Sequence, residues 1–448
     1  MEEGAGKPSA LIDDPEWIEG LKSQHPHDIA VEIRDLTITE IRRLLGKLPN
    51  SVTSDVILEL PPHVQVQLIE SMRVSRLSGI IGEMFSDDVA DLLGQISAER
   101  LEKIMEQLPP GDAREISDLL KYEEDTAGGI MQTEVISVLE ELTIAETIEK
   151  LRGMEDWVNT EGFFYVYVTD ANGRLRGVLQ IRDLLFSKPD RKVRDIMIRE
   201  VRAVSVHADQ EEIARMFKHY NFSVVPVVDD FQRLRGVVTS DDVMDIMEEE
   251  ATEDMQRMIG LSGEESTMTP WKEAVRKRLP WLYVNLVTAF LAGFVVAMFE
   301  STIAQYAVLA VFLPIIAGQG GNAGTQVLTI VVRSLALGDV PDNGQRAIVL
   351  KELIVGILNG LAIGVVVGLI AWMWQRNIAL GVIVFAAMVL NMVAAGLAGV
   401  VIPFGLKALR IDPALASAIM LTTVTDVVGF LLFLGFAALA LSLFPLPL

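Results

Sequence analysis

The chain has 448 residues, 61 acidic and 38 basic, for a net charge of −23, and it contains no cysteine. Disulfides, thiolate metal sites and cysteine nucleophiles are therefore excluded, and so acidic a chain repels nucleic acid, which is no expected partner. The average hides two unlike parts. Residues 1–270 hold 54 acidic and 28 basic side chains, whereas residues 271–448 hold 7 and 10. All five histidines (His25, His27, His63, His207 and His219) lie in the acidic part. A metal handled by the apolar part must then be held by oxygen, which favours hard ions such as magnesium, calcium or manganese over zinc or copper.

The first ten residues have neither a basic start nor an apolar run, so no cleavable signal peptide is expected. From residue 16 to 125 apolar residues recur at helical spacing, as in Ile29-Ala30-Ile33-Leu36 and Leu101-Ile104-Met105-Leu108. A Leu-Pro-Pro unit stands at 60–62 and again at 108–110, each followed by a helix-like stretch. The expectation is an all-α domain of stacked helical hairpins, a small superhelix.

Residues 126–250 change period. Val166-Tyr167-Val168 and Val224-Val225-Pro226-Val227-Val228 are β-branched runs. The segment Val168-Thr169-Asp170, Arg174-Leu175-Arg176-Gly177-Val178, Asp183 returns 59 residues later as Val227-Val228-Asp229, Arg233-Leu234-Arg235-Gly236-Val237, Asp242. Each copy reads strand, turn, strand, then helix, and the pair resembles tandem cystathionine-β-synthase (CBS) domains. That resemblance implies an adenine nucleotide such as ATP, with Tyr165 and Asp183 as contacts. The alternatives are a helix-capping Asp183 and a core Tyr165.

The segment 241–254 is dense in carboxylates. On a helix Asp242, Asp245 and Glu249 lie three and four apart, as do Glu250, Glu253 and Asp254. Like charges at this spacing weaken a helix unless cations screen them. The segment directly precedes the apolar part and is well placed to couple a sensor to it.

Five stretches, 281–299, 303–334, 350–375, 381–405 and 413–443, are long and apolar enough to cross a bilayer, which takes roughly 20 residues. Nine basic residues flank one side of these spans and only Arg376 the other, which puts the N-terminal part in the cytoplasm and the C-terminus across the membrane. The second span runs Pro314-Ile315-Ile316-Ala317-Gly318-Gln319-Gly320-Gly321-Asn322-Ala323-Gly324-Thr325-Gln326, and its proline and glycines predict a broken or distorted helix lining a transport site. The third places Gly356, Gly360, Gly364 and Gly368 on one face, for close helix contact either at a dimer interface or within one subunit. In the fifth, Asp426 is the only ionisable group, and burying it costs at least ~2.5–3.5 kcal/mol. Three explanations fit: a protonated carboxyl, hydrogen bonds from Thr422, Thr423 or Asn322, or an aqueous path with a passing cation.

Taken in order, these pieces resemble the MgtE-type magnesium channel family over essentially the full length; the most specific are Pro314 to Gln326 and Thr425-Asp426. The resemblance implies a multi-domain fold. Its parts are an acidic helical domain at 1–125, CBS domains at 126–186 and 187–248, a connecting or plug helix at 249–278, and an α-helical membrane domain with five transmembrane helices at 279–448. It implies a homodimer in the cell membrane, gated by cytosolic magnesium, with Asp426 and Asn322 lining the pore and oxygens near Gly318 and Thr422 at the same site. It also implies regulatory magnesium ligands: Asp87 and Asp91 in the helical domain, Asp209 and Glu211 in the CBS pair, Asp242, Asp245, Glu250, Glu253 and Asp254 in the connector, and Asp412 before the last span. Asn221 departs from the pattern, standing where another acidic ligand is expected, with Asp229 or Asp230 as substitutes. The competing reading is a proton- or sodium-coupled divalent cation carrier in which Asp426 titrates. No nucleophile–base pair or phosphate loop points to an enzyme.

Overall fold

The structure, a computed structural model, describes residues 11–154, 165–263, 265–341, 344–415 and 418–443, in two units, Met1–Met247 and Glu248–Leu448. The decapeptide on which the signal-peptide expectation rests lies outside the described residues.

The first unit opens on short helices: Pro15–Leu21 (α1), Pro26–Ile33 (α2), Ile38–Leu45 (α3), Asn50–Leu58 (α4), Pro62–Ser71 (α5), Val74–Ile81 (α6), Ser86–Gly94 (α7), Ala98–Met105 (α8) and Pro110–Leu119 (α9). Pro15, Pro26, Pro62 and Pro110 occupy first turns, where the N–H that proline lacks has no helical partner anyway. Both Leu-Pro-Pro units therefore act as helix starts. Helices of two to three turns are marginal alone in water, so packing holds them. Ile29, Ile33, Ile41, Leu44, Leu45, Ile57, Leu68, Ile69 and Leu77 belong to one core running from Ile12 to Ile116. Each fully buried side chain of this size contributes on the order of 1.5–3 kcal/mol.

Two small sheets follow. The first contains Ser137–Leu139 (β1), helix Ile144–Arg152 (α10), Tyr165–Thr169 (β2), Leu175–Gln180 (β3) and helix Ile181–Phe186 (α11). The second contains Val204–Ser205 (β4), helix Gln210–Tyr220 (α12), Val224–Val228 (β5) and Leu234–Thr239 (β6), and β6 runs into helix Ser240–Met258 (α13). In both sheets the first strand pairs parallel with the second and the second antiparallel with the third. The 59-residue repeat holds even in its irregularities: the ladder shifts between Val168 and Thr169, and again between Val227 and Val228.

The repeated aspartates and arginines build the hairpin turns. Asp170 accepts from the backbone N–H of Asn172 and Arg174 and pairs with Arg176 at 3.0 Å. Asp229 accepts from Phe231 and Arg233 and pairs with Arg235 at 2.8 Å. Such side-chain bonds two and four residues on are turn chemistry.

In the second unit stand Trp271–Met298 (α14), Glu300–Gln305 (α15), Leu309–Ala336 (α16), Gln345–Gln375 (α17), Ile378–Ala408 (α18) and Ala418–Leu443 (α19). Four of them, α14, α17, α18 and α19, are long and apolar enough to cross a membrane. Helix α16 matches α14 in length at 28 residues, but Gln319, Asn322 and Gln326 dilute its apolarity. The glycines of α17 lie against α18: a Cβ on Gly356 would meet Met392 and Val393, one on Gly360 Val389, one on Gly364 Phe385, and one on Gly368 the Gly381 carbonyl. Of the two roles open to this stripe, contact within one subunit is the one it serves.

Candidate ion path and acidic cluster

Helix α16 departs from expectation: it is one unbroken helix. Pro314 stands in its second turn, where the missing N–H removes a single bond to the Ala310 carbonyl. The glycines serve close packing instead. A Cβ at Gly324 would strike Leu421, one at Gly321 would touch Thr422, and one at Gly320 would crowd Thr425 at 3.3 Å. By this antiparallel register Asp426, the next residue after Thr425, falls opposite the stretch Gly318-Gln319.

Spacing by four, three and one places Gly318, Asn322, Thr325, Gln326 and Thr329 on one face of α16. Gly318, Asn322, Gln326 and Thr329 are exposed and Thr325 is half-buried. An amide-bearing stripe thus faces out of the subunit from a membrane helix. Asp426 is half-buried, and among the described residues no group hydrogen-bonds its carboxyl. The hydrogen bonds expected from neighbouring threonines are absent because their hydroxyls turn to their own helix. Thr422 donates to the Ile419 carbonyl at 3.2 Å, Thr423 to the same oxygen at 2.6 Å, and Thr425 to Thr422 at 3.1 Å. Such back-bonding is the usual outlet for a mid-helix threonine. Nor does Asn322, exposed on α16, reach the carboxyl.

One residue escaped the sequence reading. Asn391 of α18 is fully buried, and its Nδ2 donates to the Ile316 carbonyl at 2.9 Å. The available signal was its isolation: it is the only strongly polar side chain between residues 378 and 405.

In the first unit, Asp87, Asp91, Asp242 and Asp245 do come into one neighbourhood, where the start of α7 faces the start of α13, and Asp88 and Asp241 join them. Burial, then Asp88 and Asp242, pushes the Asp87 carboxyl well above the usual range. Burial, then Asp242, Asp91 and Asp241, pushes Asp88 up to about 7. Asp242 is raised by burial, against a hydrogen bond from Thr239 that favours its ionised form. Glu134, also raised by burial, accepts from the Ser86 N–H at 3.1 Å and hydroxyl at 2.7 Å. Asp87 is buried, Asp88, Asp242 and Glu134 are half-buried, and Asp91, Asp241 and Asp245 are exposed; carboxylates gathered in this way attract a cation. Among the described residues no three Asp, Glu or His side chains close into a metal-holding group.

Other predicted ligands have structural partners. Asp209 caps α12, accepting from the Glu211 N–H at 2.8 Å, and Glu211 pairs with Arg215 at 3.4 Å. Asn221 ends that helix in the left-handed conformation at φ 53°, its N–H bonded to the Phe217 carbonyl. Asparagine tolerates that conformation and most residues do not, so position 221 has a local reason for its residue. Asp229 is committed to its turn, and Asp230 beside it is exposed. Glu250 and Asp254 are half-buried on the last turns of α13. Glu253 pairs with Arg257 of the same helix, and Arg257 also pairs with Asp412 at 2.7 Å. Tyr165 opens β2, half-buried; Asp183 is the third residue of α11 and lies 3.8 Å from Arg182. It makes no capping bond, so that alternative is ruled out.

Long apolar helices, one carrying a half-buried carboxylate and another an exposed amide stripe, joined to an acidic unit with a partly buried carboxylate cluster, mark a multi-pass membrane protein that handles cations. Comparison with known proteins narrows the class. Residues 313–436 match the family described as divalent cation transporter, residues 24–125 the MgtE intracellular N domain, and residues 127–189 and 193–249 the CBS domain. The chain is 35% identical over 434 residues to the magnesium transporter MgtE of Thermus thermophilus, covering 95% of each protein. It is 30% identical over 413 residues to that of Bacillus subtilis, covering 92% of this chain and 91% of the relative. The chain belongs to the MgtE family, whose members transport magnesium and are not enzymes. Among solved structures, the cytosolic domain of the Mg2+ channel MgtE in complex with ATP superposes with a TM-score of 0.50 at 35% identity, covering 54% of this chain and 98% of that one.

Proposed function

We propose that the protein is a magnesium-selective channel of the cell membrane, a homodimer closed by magnesium bound to its cytoplasmic unit. The observation that carries the reading is Asp426, a half-buried carboxylate with no hydrogen-bond partner among the described residues, near the Gly318 end of the exposed stripe of α16. Neither group can face hydrocarbon. A second copy of the chain would bring the same stripe and the same carboxylate across a two-fold axis and enclose a wet path. Two carboxylates near one axis repel, and a divalent cation between them relieves the repulsion. Magnesium dehydrates reluctantly, so Asn322 and the backbone oxygens near Gly318 and Thr422 act on its water shell. In this reading α16 is the fifth span. The basic residues at the helix ends favour an acidic unit inside and a C-terminus outside.

Gating follows from the carboxylate cluster. At low internal magnesium Asp87, Asp88, Asp91, Asp242 and Asp245 repel, which loosens α7 from the start of the connecting helix. Bound magnesium favours the state in which they stay together, a population shift by a ligand that prefers one conformation. Asp209, Glu211, Glu250, Glu253, Asp254 and Asp412 are the remaining candidate ligands. The ATP-bound relative supports a second ligand, an adenine nucleotide at Tyr165 and Asp183.

The test is flux in liposomes holding the full-length protein, with internal and external magnesium varied separately. Asp426→Ala is expected to abolish uptake, and unchanged uptake would sink the reading. Flux that requires an opposing proton or sodium gradient would favour a coupled carrier instead.

A further inference from the structure

The amide of Asn391 is buried where α16, α18 and α19 meet. Its Nδ2 donates to the Ile316 carbonyl, two residues before Gly318. Its Oδ1 has no hydrogen-bond partner among the described residues. A buried acceptor left unmet is unfavourable, and a leucine of similar volume would remove the penalty. The surroundings are shaped to the amide. Gly320 leaves room for Nδ2, where a Cβ would collide. Gly429, three residues past Asp426, lies flat against the group, so that a Cβ there would come within 2.9–3.1 Å of the amide atoms. A single side chain therefore touches the backbone of the helix with the amide stripe and the backbone of the helix with the carboxylate.

We propose that Asn391 is a positioning residue of the ion path, setting the separation between the polar face of α16 and Asp426, and with it the size of hydrated cation that the site accepts. The proposal rests on Asp426 as the ion-path carboxylate. Asn391 does not itself face the exposed stripe, so it acts through Ile316, Gly320 and Gly429. Sub-ångström changes in their spacing discriminate among ions that differ in radius and in how readily they shed water.

The test compares Asn391→Leu and Asn391→Ser with the parent protein and with Asp426→Ala, in liposomes. Three readouts are taken: maximal flux, half-saturating magnesium and the magnesium-to-calcium flux ratio. Thermal unfolding in detergent monitors the fold. Asn391→Leu is expected to stay folded at or above the parent's melting temperature. Both variants are expected to raise half-saturating magnesium and to lower the flux ratio, each by about fivefold, the scale of one buried interhelical hydrogen bond. A purely structural asparagine would lower maximal flux in step with folded protein and leave the other two quantities alone; that result overturns the proposal, as does failure of both variants to fold. Wild-type flux by Asp426→Ala would instead overturn the ion-path reading. An inactive Asp426→Ala beside unchanged selectivity in both Asn391 variants would remove the role of Asn391 alone.

Discussion

Arg257 Nη1 lies 2.7 Å from Asp412 Oδ2, joining the last turn of α13 to the loop ahead of α19 across 155 residues of sequence. Glu253, one turn back on α13, holds the other side of the same guanidinium. Two residues expected to coordinate magnesium are thus bridged by a cation that the chain supplies itself. All three side chains are about a quarter to a third exposed.

A pair so exposed is worth about 0.5–1 kcal/mol. In the proposed gate, Arg257→Gln is therefore expected to raise the internal magnesium needed for half-closure by a factor of about 2–5. The exchange Arg257→Asp with Asp412→Arg tests the bridge directly in liposome flux. Closure returns if the ion pair acts; closure that stays weak assigns Asp412 to magnesium instead.

The carboxyl of Asp88, lifted to about 7 by burial and its acidic neighbours, makes the first unit pH-sensitive. Folding raises its affinity for a proton, so its contribution to stability is fully present below about pH 4 and is lost as pH rises through about 7. Magnesium needs the ionised form and competes with the proton. Saturating magnesium should therefore raise the melting temperature of the full-length protein more at pH 8 than at pH 6, and Asp88→Asn should shrink the difference. Equal shifts at both pH values would separate the cluster from magnesium binding.

Gly360→Val should damage the fold of the subunit rather than the proposed dimer. A Cβ there would stand 2.9 Å from the Val389 Cα and 3.0 Å from its carbonyl oxygen. Overpacking of this kind costs about 1–3 kcal/mol. The check is thermal aggregation in detergent alongside light scattering. A lower melting temperature with an unchanged oligomeric mass is expected; loss of the dimer at an unchanged melting temperature would return the stripe to a subunit interface.

At Asn221 the left-handed helix end predicts that Asn221→Gly is close to neutral, while Asn221→Val costs roughly 1–2 kcal/mol. Unfolding of the full-length protein by denaturant, followed at the first transition, reads both. Equal tolerance of valine and glycine would contradict the capping role.

The sequence by itself determined whatever depends on neighbours along the chain. The acidic and apolar parts, the helical periods of α1 to α9 and the 59-residue repeat follow from charge, spacing and turn chemistry, all of them local. The repeat carried over to the same strand order and the same bulge because each copy closes its hairpin with the same Asp–Arg pair. Asp426 was legible for a similar reason: a carboxylate in an apolar run needs no partner to be conspicuous.

Tertiary structure decided what depends on who lies opposite. Proline and glycine pointed to a break in α16, yet the helix continues, because Gly320, Gly321 and Gly324 are small to suit α19 and Asn391. The α17 glycines fitted either of two partners until α18 was seen against them. Asp209 is a ligand by family resemblance, and the structure adds that its side chain also caps α12. Asn391 was visible as one polar letter, but its weight comes from three helices meeting around it, a relation between residues 316, 320, 391 and 429 that no local pattern contains.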